Sequence, residues 1–141
     1  MNKPKAFILL VALLSFSFMQ CEKGDGNEPN NPYTGEWELL SISGGFAGNG
    51  YPADFSVLYL GGDATYWIGD SSDKVAEGTY EVYKKGEEDW VRFDADDSQN
   101  QHIFETQDKM IGFSIEGTLV LSEPCCDLYQ YEFKKLKDDD R

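Results

Sequence analysis

Side chains capable of chemistry are few in this chain and are not assembled for it. His102 is the single histidine and lies in a strand-like run, 101–107. Nucleophilic catalysis needs a base beside a serine or cysteine, and no serine here carries such a signature. Carboxylates are so abundant that no one pair is marked out as an acid–base couple. Asp94, Asp96 and Asp97 followed by Glu105 imitate the two ends of a calcium loop, but Gln99 stands where the sharp turn requires glycine. They read better as a hairpin tip of solvated carboxylates. The glycine-rich stretch 41–50 (SISGGFAGNG) lacks the Lys-Ser/Thr and the following helix of a phosphate cradle. Cys125 and Cys126 are adjacent, so they form either a vicinal disulfide, possible in an oxidising compartment, or a reduced structural pair. Without spaced Cys/His partners they do not make a metal site. The expectation is a protein that is not an enzyme and has no metal and no cofactor.

Cys21 carries a different chemistry, acylation of a thiol. Lys3 and Lys5 precede an apolar run, 6–19 (AFILLVALLSFSFM). That run is shorter than the roughly 20 residues that span a bilayer, and a positive start followed by a short apolar stretch is a secretory signal. Phe18-Met19-Gln20-Cys21 resembles the lipobox of bacterial lipoproteins, with Gln20 in place of the usual small residue. The resemblance implies a signal peptide over 1–20 and a diacylglycerol-bearing Cys21 as the first mature residue. It implies a place in the cell envelope, anchored to the outer membrane on its periplasmic or surface face. Residues 21–32 are polar and rich in Gly, Pro and Asn, too poor in apolar surface to order themselves. As a flexible tether they span on the order of 18 Å. Glu22, Asp25 and Glu28 resemble the acidic surface-export signal of lipoproteins from the Bacteroidota.

The chain has 141 residues and a formal net charge of −14. Lys3 and Lys5 belong to the signal, so the mature protein carries about −16, a balance that favours solubility through self-repulsion. So acidic a surface argues against nucleic acid, whose phosphates require Lys and Arg, and against a peripheral hold on anionic lipid. It leaves room for a cationic protein partner. The oligomeric state is not readable from the sequence. One domain remains after the tether, over 33–136, large enough for a single core at roughly 105 residues, and 137–141 is a charged tail.

The elements of that domain follow a period of two, rich in β-branched and aromatic residues and broken by Gly, Asp and Asn. Runs at 36–43, 55–60, 64–68, 74–84, 89–94, 101–107, 110–115, 118–122 and 128–136 predict strands, with short turns such as Gly61-Gly62-Asp63 and Glu116-Gly117 between them. Such closely spaced strands can pair only as antiparallel neighbours, and a long meander is best stabilised by closing on itself. The expected fold class is all-β, an antiparallel up-and-down barrel of about eight strands. The nine runs exceed the even number of a closed meander, so one of them is not a separate strand. Candidate inward rows are Tyr129/Tyr131/Phe133, Ile111/Phe113/Ile115 and His102/Phe104.

Gly35-Glu36-Trp37 opens the first strand in the manner of the G-x-W of lipocalins. Together with GEWELLSISGGFAG early and TLVLSEPCCDLYQYEF late, it makes the domain similar to small lipocalin-like (calycin-type) lipoproteins of the Bacteroidota. The resemblance implies that Trp37 packs across the closed end of a barrel, covered by a basic residue of the last strand, Lys134 or Lys135. It implies a long first connection folded over the open mouth, with Phe46 as an apolar plug; the alternative is a loose insert. The family tells little about activity; the leading expectation, from an aromatic-lined barrel, is an interior that holds a small, largely apolar ligand, for which Phe46, Tyr66, Trp90, Phe104 and Tyr131, with Trp37, are the candidate lining residues. An eight-stranded interior either holds one small ligand or is filled by its own side chains. In the second case the protein acts as an interaction module through its acidic surface.

Overall fold

The structure, a computed structural model, describes residues 31–70, 72–97, 99, 101–124 and 128–137. Cys21, Cys125 and Cys126, and with them the predicted lipidation site and vicinal pair, lie outside the described residues. So do the signal, most of the tether and most of the charged tail.

Eight strands form one closed antiparallel barrel in chain order. They are β1 (Gly35–Gly44), β2 (Val57–Leu60), β3 (Thr65–Gly69), β4 (Lys74–Lys85), β5 (Glu88–Ala95), β6 (Lys109–Phe113), β7 (Leu119–Ser122) and β8 (Tyr129–Lys135), with β8 returning to β1. Apart from the closing β1–β8 pair, every neighbour in the barrel is also the neighbour in sequence, so the hairpins are local and the closure leaves no free sheet edge to protect. The turns at 61–64, 86–87 and 114–118 gather at one end, with the start of β1. The last residues of β1, β5 and β7, where the longer connections begin, gather at the other.

The ninth predicted strand, 101–107, is corrected. Ile103–Glu105 is a single turn of 3-10 helix. His102 caps it: its Nδ1 accepts from the Phe104 amide at 3.0 Å, and the Glu105 carboxylate accepts from the His102 amide at 2.8 Å. This reciprocal capping box satisfies the orphan donors of the turn. Two successive buried residues, Phe104 and Glu105, then replace the alternation a strand would impose.

Alternation along the strands builds the core. Leu58 and Leu60, Tyr66 and Ile68, Val91 and Phe93, Leu119 and Leu121, and Tyr131 and Phe133 are buried on their inward faces and belong to one cluster. In β1 a bulge between Leu39 and Ser41 inserts one residue, so Leu39 and Ile42 both face the core and Leu40 turns outward. Gly78 permits the close approach of β4 and β5, because a Cβ there would overlap the Asp94 carbonyl oxygen.

The seam between β5 and β6 is the weakest, with only Trp90↔Met110 and Val91↔Lys109 in register, whereas β4 and β5 share eight pairs. Toward the end of the short turns the gap is filled by Tyr33, whose hydroxyl donates to Asp89 Oδ2 at 2.7 Å and lies 3.5 Å from the Ile111 carbonyl oxygen. Burial, reinforced by Asp89, pushes the Tyr33 hydroxyl far above its ordinary pKa.

Candidate functional site

Trp37 is buried at the end where the short turns gather, and its indole N–H donates to the Tyr33 carbonyl at 2.9 Å. The basic residue over it is Lys135, with Nζ 5.2 Å from the ring centroid and 3.3 Å from the Thr34 carbonyl oxygen. The assignment to Lys134 is corrected: Lys134 points outward and reaches Glu38 at 3.9 Å. Strand parity decides this, since Lys135 continues the inward row of Tyr131 and Phe133.

The opposite end is crossed by two segments. From the β1–β2 loop, Phe55 is buried, and Tyr51 lays its ring against Tyr129 at 4.9 Å and Tyr131 at 6.3 Å. The Tyr51 hydroxyl donates to that of Tyr131 at 3.4 Å. Phe46, the expected plug, is fully exposed, which corrects that assignment. The loop turns at Gly45, Gly48 and Gly50, all at positive φ, and carries Phe46 outward at its tip.

The second segment, 101–108, supplies the plug. Phe104 is fully buried, with ring centroids 4.9 Å from Phe93, 5.1 Å from Tyr131 and 5.5 Å from Phe55. Tyr66 packs edge-on to Phe93 at 4.8 Å. Of the candidate lining residues, the structure therefore brings Tyr66, Phe104 and Tyr131 together in the interior, Tyr66 reaching Phe104 through Phe93 and Tyr131 packing on Phe104 directly. Trp37 sits at the other end. Trp90 faces the wrong way and is corrected: Val91 and Phe93 point inward, so Trp90 lies on the outer face opposite Tyr83 and Met110, beneath Lys85 at 4.4 Å.

Around the plug lies a cluster of buried ionisable groups that the sequence did not reveal. Lys109 is entirely buried; its Nζ donates to the carbonyl oxygens of Phe104 at 2.5 Å and Gln107 at 2.9 Å, and stands 3.4 Å from Glu123 Oε1. It also lies 5.1 Å from the Phe104 ring centroid and 5.7 Å from that of Tyr131. Burial pulls the Lys109 pKa below the ordinary lysine value, and Glu123 opposes the shift without reversing it. Glu123 Oε2 accepts from the Tyr129 amide at 3.2 Å. Glu105 accepts from the Tyr66 hydroxyl, and burial, reinforced by Glu105, pushes Tyr66 far above its ordinary pKa. Tyr131 is shifted the same way, again chiefly by burial. With Nδ1 accepting from Phe104, the His102 proton is assigned to Nε2, which faces Asp54 Oδ1 at 3.0 Å. His102 thereby ties the two mouth segments together.

Beside the plug a cleft of about 330 Å³ opens to solvent, lined in part by Ala76, Glu77, Asp96, Asp97 and Glu105. The carboxylates of the imagined calcium loop are thus separated in role: Glu105 is buried and bonded to Tyr66 and His102, while Asp96 and Asp97 border the cleft. Among the described residues no three His, Cys, Asp or Glu side chains converge as metal ligands. Chemically the cluster is an ammonium donor and phenolic hydroxyls set among flat apolar surfaces, with each of these groups engaged by a neighbouring carbonyl, carboxylate or hydroxyl. No family model matches the chain, and no curated protein or solved structure matches it.

Proposed function

We propose that the protein is an envelope lipoprotein, anchored through Cys21, whose lipocalin-like barrel binds a small, largely apolar ligand at the end crossed by 45–56 and 101–108. The observation that carries this reading is the buried set Lys109, Glu123, Glu105, Tyr66 and Tyr131 among aromatic rings. Burying charges costs stability, and buried titratable groups beside a cleft are a mark of functional sites. The reading is non-catalytic: no nucleophile with an adjacent base is part of it.

A second reading is favoured by the ring contacts themselves. Phe93, Phe104, Tyr66 and Tyr131 fill the interior with one another, as in a barrel that works only through its acidic surface, on a cationic protein partner. Native mass spectrometry of the protein from residue 22, purified gently from its own envelope, separates the two. A reproducible extra mass lost on denaturation supports the ligand reading. A bare polypeptide mass supports the surface reading, and the partner is then sought among basic proteins captured on the acidic face.

A further inference from the structure

Phe104 occupies the barrel in the way a ligand would. Its ring fills a niche walled by Phe55, Phe93 and Tyr131. Its own carbonyl oxygen, a few bonds away, accepts from the buried Lys109 ammonium. The ring face also lies toward that ammonium, an arrangement that favours an aromatic over an aliphatic body. Only one turn of 3-10 helix presents this group, and Phe104 and Glu105 are its only buried residues. The solvent cleft reaches Glu105, the next residue in the chain.

We propose that Phe104 is a built-in occupant of a site for a small neutral arylalkyl carbonyl compound, whose ring replaces the Phe104 ring and whose oxygen takes over the Lys109 hydrogen bond. The inference rests on the ligand-binding reading above and names its chemical class. Charge selects the neutral form. Lys109 already has Glu123 at 3.4 Å, and Asp96 and Asp97 border the entrance, where Lys74 is paired with Glu77, so an anionic ligand would add a carboxylate beside those already there. When the segment swings out, Glu105 leaves with it, and Tyr66 and Lys109 are both left as donors seeking acceptors. A cationic ligand would meet Lys109 itself.

Hydrocinnamamide reproduces the ring, spacer and carbonyl of Phe104, and makes the test. Calorimetric titration of the protein from residue 22 should give saturable one-to-one binding. Propylbenzene, which lacks the acceptor, and hydrocinnamate, which adds charge, should each bind about tenfold more weakly or worse. His102→Ala removes the cap of the turn and its tie to Asp54, leaves Phe93 and Tyr131 untouched, and takes from the niche only the edge contact of the imidazole on Phe55. It should tighten hydrocinnamamide several-fold, because less of the affinity is spent displacing the segment. Lys109→Gln should erase the preference for the amide over propylbenzene; if that variant does not fold, comparing the three probes on the unaltered protein still decides the matter. Equal binding of amide and hydrocarbon, preference for the acid, or unchanged affinity in His102→Ala would overturn the proposal. A co-purifying small molecule alongside no amide binding would overturn the Phe104 mimicry alone and leave the broader ligand reading standing. Absence of both overturns the two together.

Discussion

Replacing Lys109 by methionine keeps most of the side-chain volume and removes only the ammonium. Three acceptors are then abandoned in the interior: the carbonyl oxygens of Phe104 and Gln107, and Glu123 Oε1. Removing one partner of a buried ion pair costs about 3–5 kcal/mol, because the other charge is left uncompensated. Lys109 is fully buried and Glu123 nearly so, so screening by water offers little relief. A loss near 4 kcal/mol at a urea slope of about 2 kcal/mol per molar moves the unfolding midpoint by about 2 M, readable from tryptophan fluorescence. The double variant Lys109→Met/Glu123→Leu removes both charges and should recover at least about 2 kcal/mol of that loss. The pH dependence carries the same signature. Burial sets the folded pKa of Lys109 below the unfolded one, so between the two the unfolded chain binds more protons and stability rises with pH. Above about pH 10 the trend turns over, because unfolded tyrosines ionise while Tyr33, Tyr66 and Tyr131, all raised, do not. In Lys109→Met the rise disappears and the fall remains. A single-variant loss below about 1 kcal/mol, or a double variant as unstable as the two singles summed, would refute the reasoning.

Asp108 receives the Arg92 guanidinium at 3.2 and 2.8 Å and the Tyr83 hydroxyl at 2.6 Å. Arg92 above all holds its carboxyl below the ordinary range, so its stabilisation is complete above about pH 4 and lost as pH falls through the folded value. Asp108→Asn should flatten the acid limb of urea midpoints measured from pH 6 downward; an unchanged limb contradicts this. Phe46→Ala should leave stability within about 0.5 kcal/mol, since the ring is fully exposed; a loss above about 1 kcal/mol in urea would mean that it packs. Gly78→Ala forces a methyl into the Asp94 carbonyl oxygen, and a cost of about 1–3 kcal/mol is expected. An unshifted melting temperature would show that β4 and β5 part freely there.

The barrel was legible because its signal is periodic and local. Eight of the nine predicted runs are strands, and short glycine turns such as Gly86 and Gly117 join them. The ninth failed for a reason also written in the sequence, though non-periodically: His102 and Glu105 are spaced as a capping box, but histidine is an uncommon cap and the apolar run masked it. Parity would have chosen Lys135 over Lys134, since it continues the row Tyr131/Phe133. It would not have placed Trp90, because Trp90 and Val91 are both apolar neighbours and either row could face inward. The Lys109–Glu123 pair was illegible. Nothing local distinguishes a buried lysine at the start of a strand from a solvated one. Residues 104 and 107 lie near it in sequence and the β6–β7 hairpin sets Glu123 opposite it, but only closure of the barrel buries them together.

That closure also explains why the plug and the weakest seam occur together. A chain that leaves β5 at Ala95 and re-enters at Lys109 gives up most of the β5–β6 ladder, retaining two register pairs. Closure at this seam must then come from side chains: the burial of Phe104, the Lys109 bonds to the plug backbone, and the outer clamp of Arg92 and Tyr83 on Asp108. If so, Phe104→Ala should loosen the barrel locally before it loosens globally. Amide exchange of Trp90, Val91, Lys109 and Met110 should accelerate by about two orders of magnitude or more, for a local loss near 3 kcal/mol. Exchange in the β1–β8 ladder, with seven pairs, should change far less. Uniform acceleration around the barrel would mean that the seam is held by the core as a whole and that Phe104 is one packing residue among many.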